Sequence, residues 1–432
     1  MSIDLSKPRG LPAVPAALFG LLAMLGLVVF LGGVSSSDAD TVKRTYRVFL
    51  HNWLLFAALS QGALVLSAAI RLTNGKWAGP VHRLIDALGA FVPLSLVLFI
   101  AIWAGRHELF GWTHHAVYGK EWWYTESFTF GRDFFALIWM TFVSQVYLYL
   151  SVRPSLGAAR ETATGWKGAL IQRWTAGWRG EAAERELAER RLRKMAAVLA
   201  LSYAISYSLI GVDMIMSLSP HWVSTMFPAY YSWGGFLSAI SMTALLSLIL
   251  RNSRELTGEV TESRRHDLGK MVFAFSIFWM YLFWSQYLVI WYGNIPEETG
   301  FIAARLGTQF LQDTWYMTGF WTRIAEPYVQ ITLTAWFLCW VIPFWVLLGQ
   351  KPKKTPIILG AVASGSLIGF WIERYILVTP SLVSPEQVLA GAPVTPFGGI
   401  ELGILAGFIG LFFLCFLAFG WVFPGALPPQ DA

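Results

Sequence analysis

The chain has 432 residues, 56% hydrophobic and only 13% charged, with a net charge of +6 and a mean hydropathy of +0.53. A soluble domain carries roughly a quarter charged residues, so most of this chain has no aqueous surface to charge and a soluble fold is excluded. Its two cysteines, Cys339 and Cys415, both lie in apolar runs, which excludes a disulfide framework, a CxxC pair and a cysteine-ligated cluster or structural zinc.

Lys7 and Arg9 precede an apolar run over 13–34. That run is too long for a signal peptide and lacks a small-x-small cleavage site, so it is taken as a retained first helix. An α-helix needs about 20 apolar residues to cross some 30 Å of hydrocarbon. Runs of that kind recur at 48–70, 84–105, 133–152, 196–218, 228–250, 268–292, 327–348, 356–378 and 400–422. The pattern predicts an all-α integral membrane protein of about ten transmembrane helices. Pro93 and Pro343 fall inside spans, where neighbouring helices can re-satisfy the freed backbone.

The connections alternate in character. With the N-terminus inside, the cytoplasmic segments hold 22 Lys and Arg and the opposite segments hold 8. The positive-inside bias therefore places both termini in the cytoplasm. The long connection 153–195 contains EAAERELAERRLRK (181–194), a good helix former. Glu181–Arg185, Glu186–Arg190 and Glu189–Arg193 are spaced as i,i+4 pairs with the acid first, the favourable order. This is expected to be a solvated helix near anionic headgroups, the alternative being a dock for a cytoplasmic partner.

The opposite segments are aromatic: GWTHHAVYGKEWWYTESF (111–128), SLSPHWVSTMFPAYYSW (217–233) and WYGNIPEETG (291–300). Plain interfacial anchoring accounts for part of this. A broad, weakly charged aromatic surface also suggests coverage by another protein. His221, Trp222, Trp291, Tyr292, Asn294, Pro296, Glu297 and Glu298 are the candidate interface residues. Asn294 and Glu297 have capping-box spacing, with Pro296 in the first turn of the helix they would open.

Bis-histidine haem needs paired histidines inside helices, and of seven histidines only His51 lies within a span. There is no CxxCH, no glycine-rich phosphate loop ending in Lys and no HExxH. What remains is a set of ionisable groups in apolar runs, where charge is expensive and tends to face a partner or a wet cavity. Asp213 lies before Pro220, and Glu373 and Arg374 lie before Pro380, all expected in the outer third of the membrane. Helix neighbours at i and i+1 do not face each other, so Arg374 is the expected partner of Asp213, leaving Glu373 free. His51, Gln286 and Glu401 fall at the same level. A quinol site needs an aromatic slot, hydrogen-bonding groups for two hydroxyls and a base, and these residues would supply them. The alternative is a structural Asp213–Arg374 salt bridge without a proton role. On the inner side His266, Asp267 and Lys270 open the seventh helix as a candidate proton entrance.

Three stretches resemble a known family. DMIMSLSPHWVSTMFPAYYSWGGFLSA (213–239) resembles the membrane subunits of alternative complex III. HDLGKMVFAFSIFWMYLFWSQYLVIWYGNIPEET (266–299) resembles the seventh helix and outer loop of its ActF-type subunit. PFWVLLGQKPKKTP (343–356) is a weaker match. The resemblance covers the C-terminal half well, and the N-terminal half agrees mainly in helix spacing. It implies the NrfD/PsrC-like fold, with two four-helix bundles flanked by one helix at each end. The corresponding boundaries are 1–34, 35–218, 219–378 and 379–432. It further implies a non-redox-centre subunit of a quinol-oxidising complex in a bacterial inner membrane. Menaquinol or ubiquinol would be the electron source. No group is bound covalently, and Fe-S clusters and haem c belong to partners. The implied partners are a paralogous ActC-type membrane subunit, a periplasmic iron–sulfur subunit, multihaem cytochromes c and a terminal oxidase, with no role for nucleic acid. The resemblance also implies that the paralogous ActC-type subunit is the better candidate for the main quinol site, and that in an ActF-like chain the buried Asp213, Glu373 and Arg374 serve proton movement instead of quinol contact. Two other classes compete: a stand-alone secondary transporter, expected to show inverted repeats, and a purely structural membrane anchor.

Overall fold

The computed structural model describes residues 12–79, 81–252, 256, 258–306, 327–382 and 397–423. The connections at 307–326 and 383–396 and the side chains of Pro296 and Glu297 lie outside the described residues. Among those described the secondary structure is helical, with no strand. Ten helices are long and apolar enough to cross a membrane. They are α1 (Ala13–Val34), α2 (Ala39–Leu72), α3 (Val81–Ala104), α4 (Glu126–Val152) and α5 (Glu181–Met214), followed by α6 (Phe227–Ile249), α7 (Glu262–Gly293), α8 (Tyr328–Val346), α9 (Pro356–Leu382) and α10 (Gly399–Val422). This is a multi-pass membrane protein. Val14, Leu21 and Val28 of α1 are more than 60% exposed, which an apolar helix tolerates only where lipid covers it.

Helices α2–α5 pack together, as do α6–α9, while α1 and α10 pair with each other and lean on α2. The two groups meet along α2, which also touches α6 and α9 and is almost wholly buried. Close approach there depends on missing side chains. A Cβ on Gly62 would lie 2.7 Å from the carbonyl oxygen of Gly235, and one on Gly26 of α1 would lie 2.2 Å from Cα of Gly407 in α10. Small residues of this kind let transmembrane helices gain dispersion contact where no hydrophobic drive separates helix from lipid.

Local signals set the helix ends. Asp38 caps α2, its carboxylate accepting from the Asp40 and Thr41 amides at 3.4 and 3.1 Å. Glu401 reaches back to the Gly398 amide at 2.9 Å, half of a capping box, since glycine has no side chain for the reciprocal bond. Within α8, residues Phe337–Val341 form a π-turn immediately before Pro343. Proline gives no N–H to the ladder and crowds the preceding turn, and the wider turn absorbs this.

Two local expectations are corrected. The polar segment 181–194 is the extended start of α5, and it is not solvated throughout: Glu184, Ala188 and Leu192 form a buried stripe. Glu181–Arg185 and Glu186–Arg190 pair at 2.7 and 2.6 Å, but Arg193 turns to Asn74 Oδ1 at 2.9 Å in place of Glu189. Asn294 does not open a helix. It has φ 45° and closes α7 as a left-handed C-cap, one of the few side chains that tolerate that conformation. The short helix Pro296–Leu306 begins two residues later.

Candidate functional site

The two faces of the helical array are called here the aromatic face, which carries Trp122 and Trp291, and the basic face, which carries Arg71 and Lys353. Near the aromatic face α4 and α5 bring Arg132, Asp133 and Asp213 together. Arg132 binds Asp213 through both carboxylate oxygens, Nε to Oδ2 at 2.7 Å and Nη2 to Oδ1 at 2.6 Å. Its Nη1 donates to the Trp123 carbonyl at 3.1 Å, and its guanidinium lies 3.8 Å over the Trp123 ring. The bidentate geometry matches the planar fork to the planar carboxylate. Asp213 and Asp133 are both fully buried. Asp133 is flanked by Asp213 and Arg132, yet neither of its oxygens has a hydrogen-bond donor. Two buried carboxyls therefore stand beside one guanidinium, which binds Asp213. Just outside the span, burial and then the charge of Asp213 push the Tyr124 phenol up to about 12.

The expected Asp213–Arg374 pair does not form, because Arg132, nearly two turns into α4, occupies Asp213. Arg374 instead curls back on its neighbour, with Nη1 2.8 Å from Glu373 Oε2. The spacing is that of an ion pair, while the alignment is not that of a hydrogen bond. Its Nη2 donates to the Tyr231 carbonyl at 3.1 Å, and its guanidinium sits 4.5 Å over the Tyr231 ring. Gly234 makes the room: a Cβ there would lie 2.7 Å from Arg374 Nη2. The rule against i,i+1 contact fails because a long arginine side chain can fold along the helix when a facing glycine leaves a hollow.

The other candidates separate. His51 stands at the seam between the two groups of helices, edge-on to Trp371 and Tyr375 at 5.8 Å each. Its Nε2 meets Asn52 at 3.1 Å, and Asn52 Oδ1 accepts from Trp371 Nε1 at 3.0 Å. Glu401 is bound by Arg44 through two contacts of 2.8 Å, tying α10 to α2. On the basic face His266 and Asp267 are half-buried, and Asp267 pairs with the exposed Lys270 at 2.7 Å.

Gln286 and Glu373 line one cleft in the second group of helices, with about 690 Å³ of atom-free space including its open edge. Trp222 stacks on Phe301 across it, with centroids 3.6 Å apart and planes within 1°. Of the expected interface residues, Trp222 is thus 3% exposed and faces inward, whereas His221, Trp291, Tyr292 and Asn294 are exposed and Glu298 is half-buried. Trp222 departs from the surface position expected of an aromatic in a connecting segment because that segment folds back over the helix ends and stacks it on Phe301.

Sequence reasoning missed a second buried cluster near the basic face, on α2, α3 and α4. Asp86 accepts from Ser67 and Ser151 at 2.5 Å each. Ser67 Oγ also meets Tyr147 OH at 2.7 Å and His82 Nε2 at 2.8 Å, and Arg71 donates to Tyr147 and Ser151 at 3.0 and 2.7 Å. Between the two clusters Gln61 Nε2 donates to Ser144 Oγ at 2.9 Å, both fully buried. Asp86 lies inside the assigned span 84–105 and Asp133 opens the span 133–152, so the rule that picked out Asp213 would have found both. Among the described residues no group of three or more metal-ligating side chains occurs. No family model matches the chain, and no curated protein matches it.

Proposed function

We propose that the chain is the membrane subunit of a respiratory quinol:acceptor oxidoreductase of the alternative complex III type, and that α2–α5 move protons while partner Fe-S and haem c subunits carry the electrons. The observation that carries this is a pair of buried carboxylate clusters at opposite ends of one set of helices. Asp86 sits near the basic face, and Asp133 with Asp213 sits near the aromatic face. With the basic face cytoplasmic, as the Lys and Arg distribution favours, Asp86 is the uptake end and the Asp133–Asp213 pair the release end.

The chemistry suits that role. Serine and tyrosine hydroxyls both donate and accept, so Ser67, Ser151 and Tyr147 can pass a proton to or from Asp86. Gln61 and Ser144 extend the polar path one to two turns inward. Along α4, Ser144 and Asp133 are eleven residues apart, or about 16 Å at 1.5 Å per residue, a distance for water to bridge. At the far end, two carboxyls beside one guanidinium leave a negative charge that a single proton neutralises. A buried charge without compensation is costly, so the pair is suited to hold and release that proton.

The test uses the assembled complex. Asp86→Asn and Asp213→Asn should leave subunit composition and haem content intact while lowering turnover-linked proton release. Normal proton release in both variants would leave only an anchoring role. A chain that purifies alone and colourless from mild detergent would remove the respiratory assignment.

A further inference from the structure

On the basic face the short helix Gln350–Lys354 packs against the start of α7, and cations there outnumber acids. Asp267 binds Lys270 at 2.7 Å and Glu262 binds Lys354 at 3.0 Å. Arg265 donates to the Lys354 and Val260 carbonyls at 2.9 and 2.7 Å. Among the described residues no carboxylate pairs with Arg265, Lys351 or Lys353. Lys353 is the unusual member. A lysine near a membrane surface commonly snorkels, carrying its ammonium to water, but Lys353 is 7% exposed. Gly269 of α7 makes room for its stem, since a Cβ there would lie 2.7 Å from Lys353 Cβ. Its Nζ lies 4.6 Å over the Phe273 ring, with no hydrogen bond and no counter-ion among the described residues. Burial, and then the charge of Lys270, push this ammonium below the usual lysine range. A covered charge without a partner is costly. The stem is covered while the ammonium is not sealed off, so an anion from outside can complete the site.

From that ammonium a ladder of rings descends the seam between α7 and α8. Phe273 stacks on Phe344 at 5.6 Å, Phe344 stacks on Trp340 at 5.7 Å, and Trp340 meets Trp336 at 5.0 Å. All four rings are half-buried, and the Trp336 indole reaches Met280 of α7 at 3.1 Å. Phe344 and Trp336 are eight residues apart, about 12 Å of helix. That is close to the depth of one leaflet, about 15 Å of hydrocarbon. Trp345 and Leu348 beside the ladder are 65% and 54% exposed, an apolar edge that hydrocarbon covers in a membrane.

We propose that Lys353 and the ring ladder form a fixed site for one anionic phospholipid, of the phosphatidylglycerol class. Its phosphate accepts from the Lys353 ammonium, and one acyl chain lies along Phe344, Trp340 and Trp336. Charge complementarity selects the occupant, because basic pockets between transmembrane helices favour anionic headgroups. A zwitterionic headgroup would bring its own cation to a place that already has a surplus. The site needs no redox partner and no turnover, and it stands whatever the outcome for the proton path.

The test is native mass spectrometry of the full chain, delipidated in mild detergent and titrated with dioleoyl phosphatidylglycerol or dioleoyl phosphatidylcholine. The first phosphatidylglycerol should bind about tenfold more tightly than the first phosphatidylcholine. Lys353→Gln should remove that preference, and Lys351→Gln, at an exposed neighbour, should keep it. Trp340→Leu, which breaks the ladder and leaves the charge, should weaken both lipids alike. Thermal midpoints without lipid identify a variant that has not folded; if Lys353→Gln is one, the wild-type preference and Trp340→Leu decide. Equal affinity of the wild type for the two lipids overturns the proposal, as does a Lys353→Gln chain that keeps the preference. Equal losses in Lys351→Gln and Lys353→Gln overturn it too, by showing diffuse surface charge, and so does wild-type binding by Trp340→Leu. Displacement of phosphatidylglycerol by an equal concentration of inorganic phosphate also overturns it, by showing a simple anion site.

Discussion

Arg132 holds Asp213 with two hydrogen bonds of 2.6 and 2.7 Å, and its neighbour in sequence, Asp133, is buried within reach of the charges of both. The order of charges along α4 and α5 thus builds a site with one cation and two acids. Removing Arg132 strands two buried carboxyls without a cation, a loss that typically costs about 3–5 kcal/mol, whereas neutralising Asp213 leaves Arg132 with Asp133 still beside it. Arg132→Ala should therefore lower the unfolding midpoint strongly. Adding Asp213→Asn to it should restore part of the loss, because the stranded charge goes too. A double-mutant cycle in detergent measures this, and additive effects would show that the pair is not coupled.

Glu401 ties two separate helices and caps one of them. Hydrogen bonds to a charged group are worth about 1.5–3 kcal/mol each before screening, and Arg44 is 28% exposed. Glu401→Gln should destabilise by about 1–2 kcal/mol after that discount. The loss should appear as earlier proteolysis at the start of α10, with the rest of the fold unchanged.

The contact between α1 and α10 depends on position and not on glycine content. Gly26→Ala would place a Cβ 2.2 Å from Gly407 Cα, whereas a Cβ on Gly20 meets nothing within 4 Å. Overpacking of this kind costs about 1–3 kcal/mol, so Gly26→Ala should loosen the pair and Gly20→Ala should not. Disulfide trapping between cysteines placed on the two helices would report it, and equal effects of the two substitutions would contradict the packing described.

Gly234→Ala should displace the Arg374 guanidinium from its hollow and part it from Glu373. The expected result is a destabilised protein that the further substitution Arg374→Met partly rescues, read from the thermal midpoint. No rescue would mean that the hollow serves the helix backbone and not the arginine.

Burial pushes the Tyr124 phenol up to about 12, above an unfolded value near 10. A raised folded value means the contribution to stability is complete below pH 10 and is lost as pH rises from there toward 12. Tyr124→Phe should flatten the alkaline decline of stability over that window. An unchanged decline would place its origin elsewhere.

The helices were legible because hydrocarbon imposes a length and an apolar composition on anything that crosses it, and the ten apolar runs were assigned within a few residues apart from aqueous extensions such as those of α2 and α5. Pairings across helices were less legible. Asp213 was recognised as a costly charge, but its partner depended on which helix lay beside α5, and sequence spacing carries no such information. Arg132 stood one residue before an assigned span and was counted as a connection charge. Asp86 and Asp133 lie inside or at the edge of apolar runs, so their cost is as legible in the sequence as that of Asp213. Trp222 was lost for a different reason: whether a connecting segment folds outward or inward is settled by the stacking of Phe301, some eighty residues away.

The burial of α2 on all sides has a consequence for biogenesis. Its Gly62 surface is shaped to meet Gly235, a residue the ribosome has not yet made when α2–α5 have entered the bilayer. The first half of the chain must wait in the membrane with that surface against lipid or a chaperone until α6 arrives. A chain halted after α5 is accordingly an unfinished object, open to membrane quality-control proteases, and the two halves mature together.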